Sequence, residues 1–112
     1  MKSGVASFVF ASLGQMSTTI THDEQNRRYV LSVEGEEAGF ADYLPREDGV
    51  LDFHHTVIHK PFQGKGLSKV LVRGALDGVR EDGLKIVATC SAVRHFLDRN
   101  PEYAELEASG AR

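Results

Sequence analysis

Three groups of residues in this chain are of types, and at spacings, that can do chemistry. The first is the run Gln63-Gly64-Lys65-Gly66-Leu67-Ser68, set between an apolar stretch ending at Ile58 and a helix-like stretch beginning at Leu67. Glycines at the mouth of a helix let backbone N–H groups approach an anion closely, and the helix dipole adds about half a positive charge there. Such a turn can hold a pyrophosphate by main chain alone, although the same glycines also suit a plain strand-to-helix turn. It lacks the spacing of a Walker loop and the third glycine of a Rossmann fingerprint. The second group is Asp52, His54 and His55, titrating side chains suited to proton transfer. The third is Cys90, a thiol that can donate a proton, act as a nucleophile or fill space as a small hydrophobe. Tyr103 and His95 are further polar candidates with no spacing to support them. No metal site is expected, because alternate strand residues diverge and no Cys or acidic partner of the histidines has ligand spacing.

The elements that must position these groups follow from periodicity. From Arg28, Tyr29, Leu31 and Val33 point to one side, Glu34-Gly35-Glu36 is a turn, and Ala38 to Leu44 alternates again, which predicts a hairpin. After the Pro45–Gly49 loop, Val50 to Ile58 is a third strand. On a regular strand His54 and His55 face opposite ways, and Asp52 shares the face of His54. Leu67, Val70, Leu71, Gly74, Ala75, Gly78 and Val79 recur at helical spacing, with Asp82-Gly83 as the stop. Gly74 and Gly78 weaken a helix interior, so they predict close packing of that helix on a sheet. Leu84 to Thr89 is a short buried strand, and a second helix turns Val93, Phe96 and Leu97 inward before Asn100-Pro101. The predicted order is β-β-β-α-β-α, an α/β (α+β) domain whose β-α-β part implies a parallel strand pair.

Composition bounds the rest. The 112 residues support one hydrophobic core, and 41% hydrophobic content argues against disorder. A formal net charge of -3 argues against the positive surface that nucleic acid or an anionic membrane requires. A single cysteine forms no internal disulfide and suits a reducing, cytoplasmic setting. Residues 1–15 carry one Lys and an apolar patch broken by Ser7 and Ser12, too short for a membrane span and only faintly like a secretory signal. They are expected to be a leader, disordered or upstream of a start at Met16. The single domain is then expected over 16–108, most of it between Thr18 and Leu106, with 109–112 as a tail.

The stretch Thr56-Val57-Ile58-His59-Lys60-Pro61-Phe62-Gln63-Gly64-Lys65-Gly66-Leu67-Ser68 resembles the acetyl-coenzyme A motif of the GCN5-related N-acetyltransferases (GNAT superfamily). Their signature is Gln/Arg-x-x-Gly-x-Gly/Ala after an apolar strand. With His55-Thr56 and the ending Cys90-Ser91-Ala92-Val93…Arg99-Asn100-Pro101-Glu102-Tyr103, the chain is similar to the short YjdJ-type branch of that superfamily over about Arg28 to Leu106. The resemblance implies a minimal GNAT fold, a mostly antiparallel sheet with one parallel pair splayed apart to admit pantetheine. It implies acetyl-coenzyme A as the acyl donor and a primary amine, small molecule or protein lysine, as acceptor. Backbone groups of Val57 and Ile58 would pair with the pantetheine amides. The Gln63–Ser68 turn would hold the pyrophosphate, with Lys65, Gly66, Leu67 and Ser68 as donors.

Ser68 stands where the signature has Gly or Ala. Many larger members carry an Asn after the equivalent strand and a Tyr seven residues on, which protonates the leaving thiolate. Here those positions are Cys90 and Leu97, so that acid is absent. His55 is then the first candidate base, with Asp52 or His54 replacing it if the other face lines the slot. Cys90 is the candidate group beside the thioester. The missing acid equally suits a coenzyme A-binding module without catalysis, or an interaction domain that kept the fold. Larger relatives shape the acceptor pocket with two helices between their first two strands. Residues Thr18 to Arg28 have room for at most one short strand and a loop, which predicts an open acceptor side.

Overall fold

The structure, a computed structural model, describes residues 7–12 and 16–108. Its strands are β1 (Ser7–Ser12), β2 (Met16–Asp23), β3 (Arg28–Val33), β4 (Glu36–Arg46), β5 (Val50–Ile58) and β6 (Lys85–Ala88). Helix α1 (Leu67–Glu81) joins β5 to β6, and α2 (Ser91–Arg99) follows β6. Short 3-10 turns occupy Glu47–Gly49, Lys60–Phe62 and Pro101–Leu106. The six strands form one sheet in chain order, antiparallel throughout except for the parallel pair β5–β6.

Five strands therefore precede α1 where the alternation alone predicts three. β2 escapes a hydropathy reading because two of its inward positions are Thr18 and His22, with only Ile20 apolar between them. Ser7–Ser12 pairs with β2 from Ser7↔Thr21 to Ser12↔Met16, so this part of the expected leader is a sheet strand rather than disordered chain. The remainder of that expected leader, residues 1–6 and 13–15, lies outside the described residues, as does the tail 109–112.

One face of the sheet carries Ile20, Tyr29, Leu31, Ala41, Tyr43, Leu51 and Phe53, all buried. Helix α1 covers it with Leu71, Val72, Ala75, Leu76 and Val79, and α2 adds Val93, Phe96 and Leu97 to the same core. The helix lies close because of its glycines. A Cβ at Gly74 would collide with the Ile20 side chain, and one at Gly78 would come within 2.9 Å of the Tyr29 ring. α1 stops as expected at Asp82-Gly83, where Leu84 N–H returns to the Val79 carbonyl at 3.1 Å. The opposite face, carrying Arg28, Phe40, Asp42 and His55, is covered by no helix among the described residues. The 3-10 turn at Pro101–Leu106 is tied back to α1 by Tyr103, whose hydroxyl donates to Asp77 at 2.7 Å.

Candidate functional site

β5 and β6 run side by side only from Val50↔Lys85 to Phe53↔Ala88. At that point the Thr89 and Cys90 amides both donate to the Phe53 carbonyl, at 3.1 and 3.0 Å, and the chain turns away into α2. β5 continues to Ile58 with β4 on one side and, among the described residues, no strand on the other, so the parallel pair splays apart as a slot. His59 N–H donates to Ala38 O of β4 at 2.8 Å, which sets the hydrogen-bonding parity of the strand end. Residues His55 and Val57 bond β4, while Thr56 and Ile58 turn their main-chain groups toward the slot. This corrects the expectation that Val57 and Ile58 both line it. The Val57 carbonyl packs against Gly39 of β4, and consecutive residues of one strand cannot share an edge.

The second correction concerns the histidines. The β4–β5 register passes from Asp42↔His55 to Tyr43↔Phe53, leaving His54 as an extra residue, a β-bulge. The bulge resets the alternation, so His55 lies opposite Asp42 on the helix-free face, and Asp52, opposite Leu44, shares that face with it. Phe53 and Thr56, opposite Tyr43 and Ala41, both point to the helix face. The His54 and His55 rings lie 6.5 Å apart and within 20° of parallel rather than on opposite faces. Both are exposed at the mouth of the slot.

The side chains around the opening are mostly engaged. Asp52 accepts from Thr89 Oγ1 at 2.8 Å and lies 3.8 Å from Arg46. Asp42 pairs with Arg28 at 2.8 Å, and that guanidinium sits 3.9 Å over the Phe40 ring. His59 meets Glu37 at 2.8 Å. Cys90, buried at the N-cap of α2, sits across the opening with its sulfur 3.3 Å from Thr56 Oγ1. Thr56 is therefore a candidate site residue that sequence reasoning misses as a side chain; only the bulge, which leaves no mark in composition, reveals it. Of the remaining candidates, His95 is exposed on α2, and Tyr103 is buried against α1.

At the far end of the slot, Gly64 and Gly66 adopt φ of +80° and +73°, and Gly66 is the left-handed N-cap of α1. A Cβ at either position would meet nothing within 4 Å, so open space lies over both. Among the described residues no side chain caps α1, which leaves the first-turn N–H groups aimed at that space, with Lys65 and Lys69 exposed beside them. Alternating turn conformations that gather successive N–H groups make an anion-binding concavity. Gln63 reaches back along the loop, its Nε2 donating to the Ile58 carbonyl at 2.8 Å.

A polar cluster lies within the core on β2, β3 and β4. His22 is 7% exposed, stacks on Tyr29 at 4.2 Å and bonds the Tyr43 hydroxyl at 2.6 Å. Burial pulls the His22 imidazole below its usual value, against the opposing pull of Glu24, Asp82 and Asp23. The Tyr43 phenol is pushed up to about 12, mainly by burial. These groups brace β4 next to the bulge, since Tyr43 stands opposite Phe53.

Residues 28–106 match the family profile of the GCN5-related N-acetyltransferases, most of the chain and every element from β3 to the last 3-10 turn. The chain belongs to this family. It is 28% identical to protein NATD1 of Mus musculus over 85 residues, 73% of this chain and 76% of that one. It is 27% identical to the Homo sapiens protein of the same name over 85 residues, 73% of this chain and 74% of that one. The solution structure of a GCN5-like protein from Staphylococcus aureus shares the fold, with a TM-score of 0.57 at 23% identity, covering 73% of this chain and 81% of that one. Leu97, which the sequence count sets at the position of the larger members' tyrosine, is 5% exposed and part of the core. Among the described residues no group of three or more His, Cys, Asp or Glu could hold a metal ion, and no helix is long and apolar enough to cross a membrane.

Proposed function

We propose that the chain binds acetyl-coenzyme A in the β5–β6 slot and transfers the acetyl group to a primary amine. One observation carries this reading: the uncapped, glycine-led N-terminus of α1 stands at one end of a strand whose free edge leads to Cys90 at the other. The pyrophosphate would accept from the amides of Lys65, Gly66, Leu67 and Ser68, with Gln63 and Gly64 shaping the turn. The pantetheine amides would run along the slot-facing groups of Thr56 and Ile58. The thioester would then lie near Cys90, with His55 beyond it on the helix-free face.

In the transfer, the amine nitrogen attacks the thioester carbonyl, the C–N bond forms and the C–S bond breaks. His55 takes the proton from the attacking amine, and the Cys90 thiol gives its proton to the departing thiolate. The helix-free face over Arg28, Phe40 and Asp42 leaves the acceptor side open, which suits an amine presented on a large molecule as well as a free one. Measuring thiol release from acetyl-coenzyme A with and without a panel of amines tests this. Amine-dependent release supports transfer; release that stays flat across the panel overturns it.

A second reading has its own observation. Because Leu97 is buried where larger relatives place their acid, the slot would also serve a coenzyme A-binding module without turnover. Flat thiol release together with saturable coenzyme A binding would select that reading.

A further inference from the structure

We infer that Thr56 is the positioning residue for the Cys90 thiol, and that the bulge at His54 is the device that brings the two together. The inference rests on the assignment of Cys90 to the leaving-group side of the slot. On a regular strand, Phe53 and Thr56 would face opposite ways, because side chains alternate with a period of two. The extra residue at His54 turns Thr56 to the helix face, where it stands opposite Ala41 and meets Cys90 across the split. Cys90 is thus held to β5 twice, by its amide on the Phe53 carbonyl at 3.0 Å and by its sulfur at 3.3 Å from Thr56 Oγ1.

The chemistry follows from the direction of that second bond. At 3.3 Å either group can donate; in the proposed arrangement the Thr56 hydroxyl donates to the sulfur, which leaves the thiol proton free to point into the slot. When that proton passes to the departing coenzyme A thiolate, the negative sulfur left on Cys90 keeps a hydroxyl donor, a charge-assisted bond stronger than the neutral one. Cys90 then regains a proton from solvent. Thr56 also turns its own main-chain groups toward the slot, so one residue touches both the ligand channel and the thiol.

Cys90 is the single cysteine of the chain, so alkylation by iodoacetamide reports on it alone. The test compares alkylation rates at neutral pH for the wild type, Thr56→Val, which keeps the shape and removes the hydroxyl, and Thr56→Ser, which restores a hydroxyl. Fold is checked by the dispersion of backbone amide signals. Since the thiolate is the reacting form, the expected result is a rate about fivefold lower in Thr56→Val, with Thr56→Ser within about twofold of wild type. A Thr56→Val rate equal to or above wild type overturns the inference, as does a slowed rate that Thr56→Ser fails to restore. The readout needs no turnover: if wild type shows no acetyl transfer but the alkylation pattern holds, the transfer reading falls and the Thr56–Cys90 relation stands.

Discussion

The side-chain amide of Gln63 donates to the carbonyl of Ile58 at 2.8 Å, fastening the first residue of the glycine turn to the last residue of the splayed strand. The bond links the two parts of the candidate site, the glycine turn and the slot, through a side chain on an exposed loop. Its contribution is to hold the turn in shape before a ligand arrives, and pre-ordering of this kind appears in affinity more than in stability. Gln63→Ala is expected to weaken coenzyme A binding about three- to tenfold, with a melting temperature within about 2 °C of wild type. Calorimetric titration beside a thermal melt measures both.

Gly66 caps α1 at φ +73°, with open space where a Cβ would project. Gly66→Ala therefore meets no clash and costs only the left-handed strain of a side-chain-bearing residue, about 1–2 kcal/mol. Its methyl would project into the space assigned to the pyrophosphate. Binding of coenzyme A should fall by more than tenfold, while binding of pantetheine, which lacks the pyrophosphate, changes little. Equal losses for the two ligands would remove the turn from the site.

Gly74 answers to packing instead. A Cβ there would collide with Ile20 beneath the middle of α1. Gly74→Ala gains up to about 1 kcal/mol of helix propensity but must push the helix off the sheet, and overpacking of this kind costs about 1–3 kcal/mol. A net loss of stability in chemical denaturation is expected. A net gain would mean that α1 has room to shift.

His22 sets a pH dependence. Burial lowers its folded-state pKa below the ordinary 6.5, so the unfolded chain binds the proton more readily than the folded one. The stability it contributes is present above about pH 6.5 and is lost as the pH falls below that value. His22→Gln keeps a neutral partner for the Tyr43 hydroxyl and cannot charge. Urea midpoints measured from pH 7.5 to 5 should fall more steeply for wild type than for His22→Gln; parallel curves would contradict the assignment.

How far the sequence was legible depends on what kind of signal each feature leaves. Strands β3 to β6, both helices and the glycine turn have periodicity or punctuation that one chain displays without partners. β2 is also period two, but its inward positions include Thr18 and His22, whose burial only the folded sheet reveals. Residues Ser7–Ser12 form too short an apolar run to separate from a leader by pattern alone. The bulge at His54 is the costliest omission, because it reverses every facing after Phe53: it sets His55 beside Asp52 and turns Thr56 onto Cys90. Nothing in the composition of Asp52-Phe53-His54-His55-Thr56 marks which residue is extra; the register against β4 decides it.

The central claim is that acetyl-coenzyme A lies along β5 with its pyrophosphate on the N-terminus of α1. Titrating acetyl-coenzyme A into the isotopically labelled chain and following backbone amides tests it most directly. The account predicts saturable shifts at Lys65, Gly66, Leu67 and Ser68, accompanied by Thr56, Ile58 and Cys90, with Gly35 and the other distant turns unmoved. Amides from Gln63 to Ser68 that stay still at millimolar ligand would contradict it.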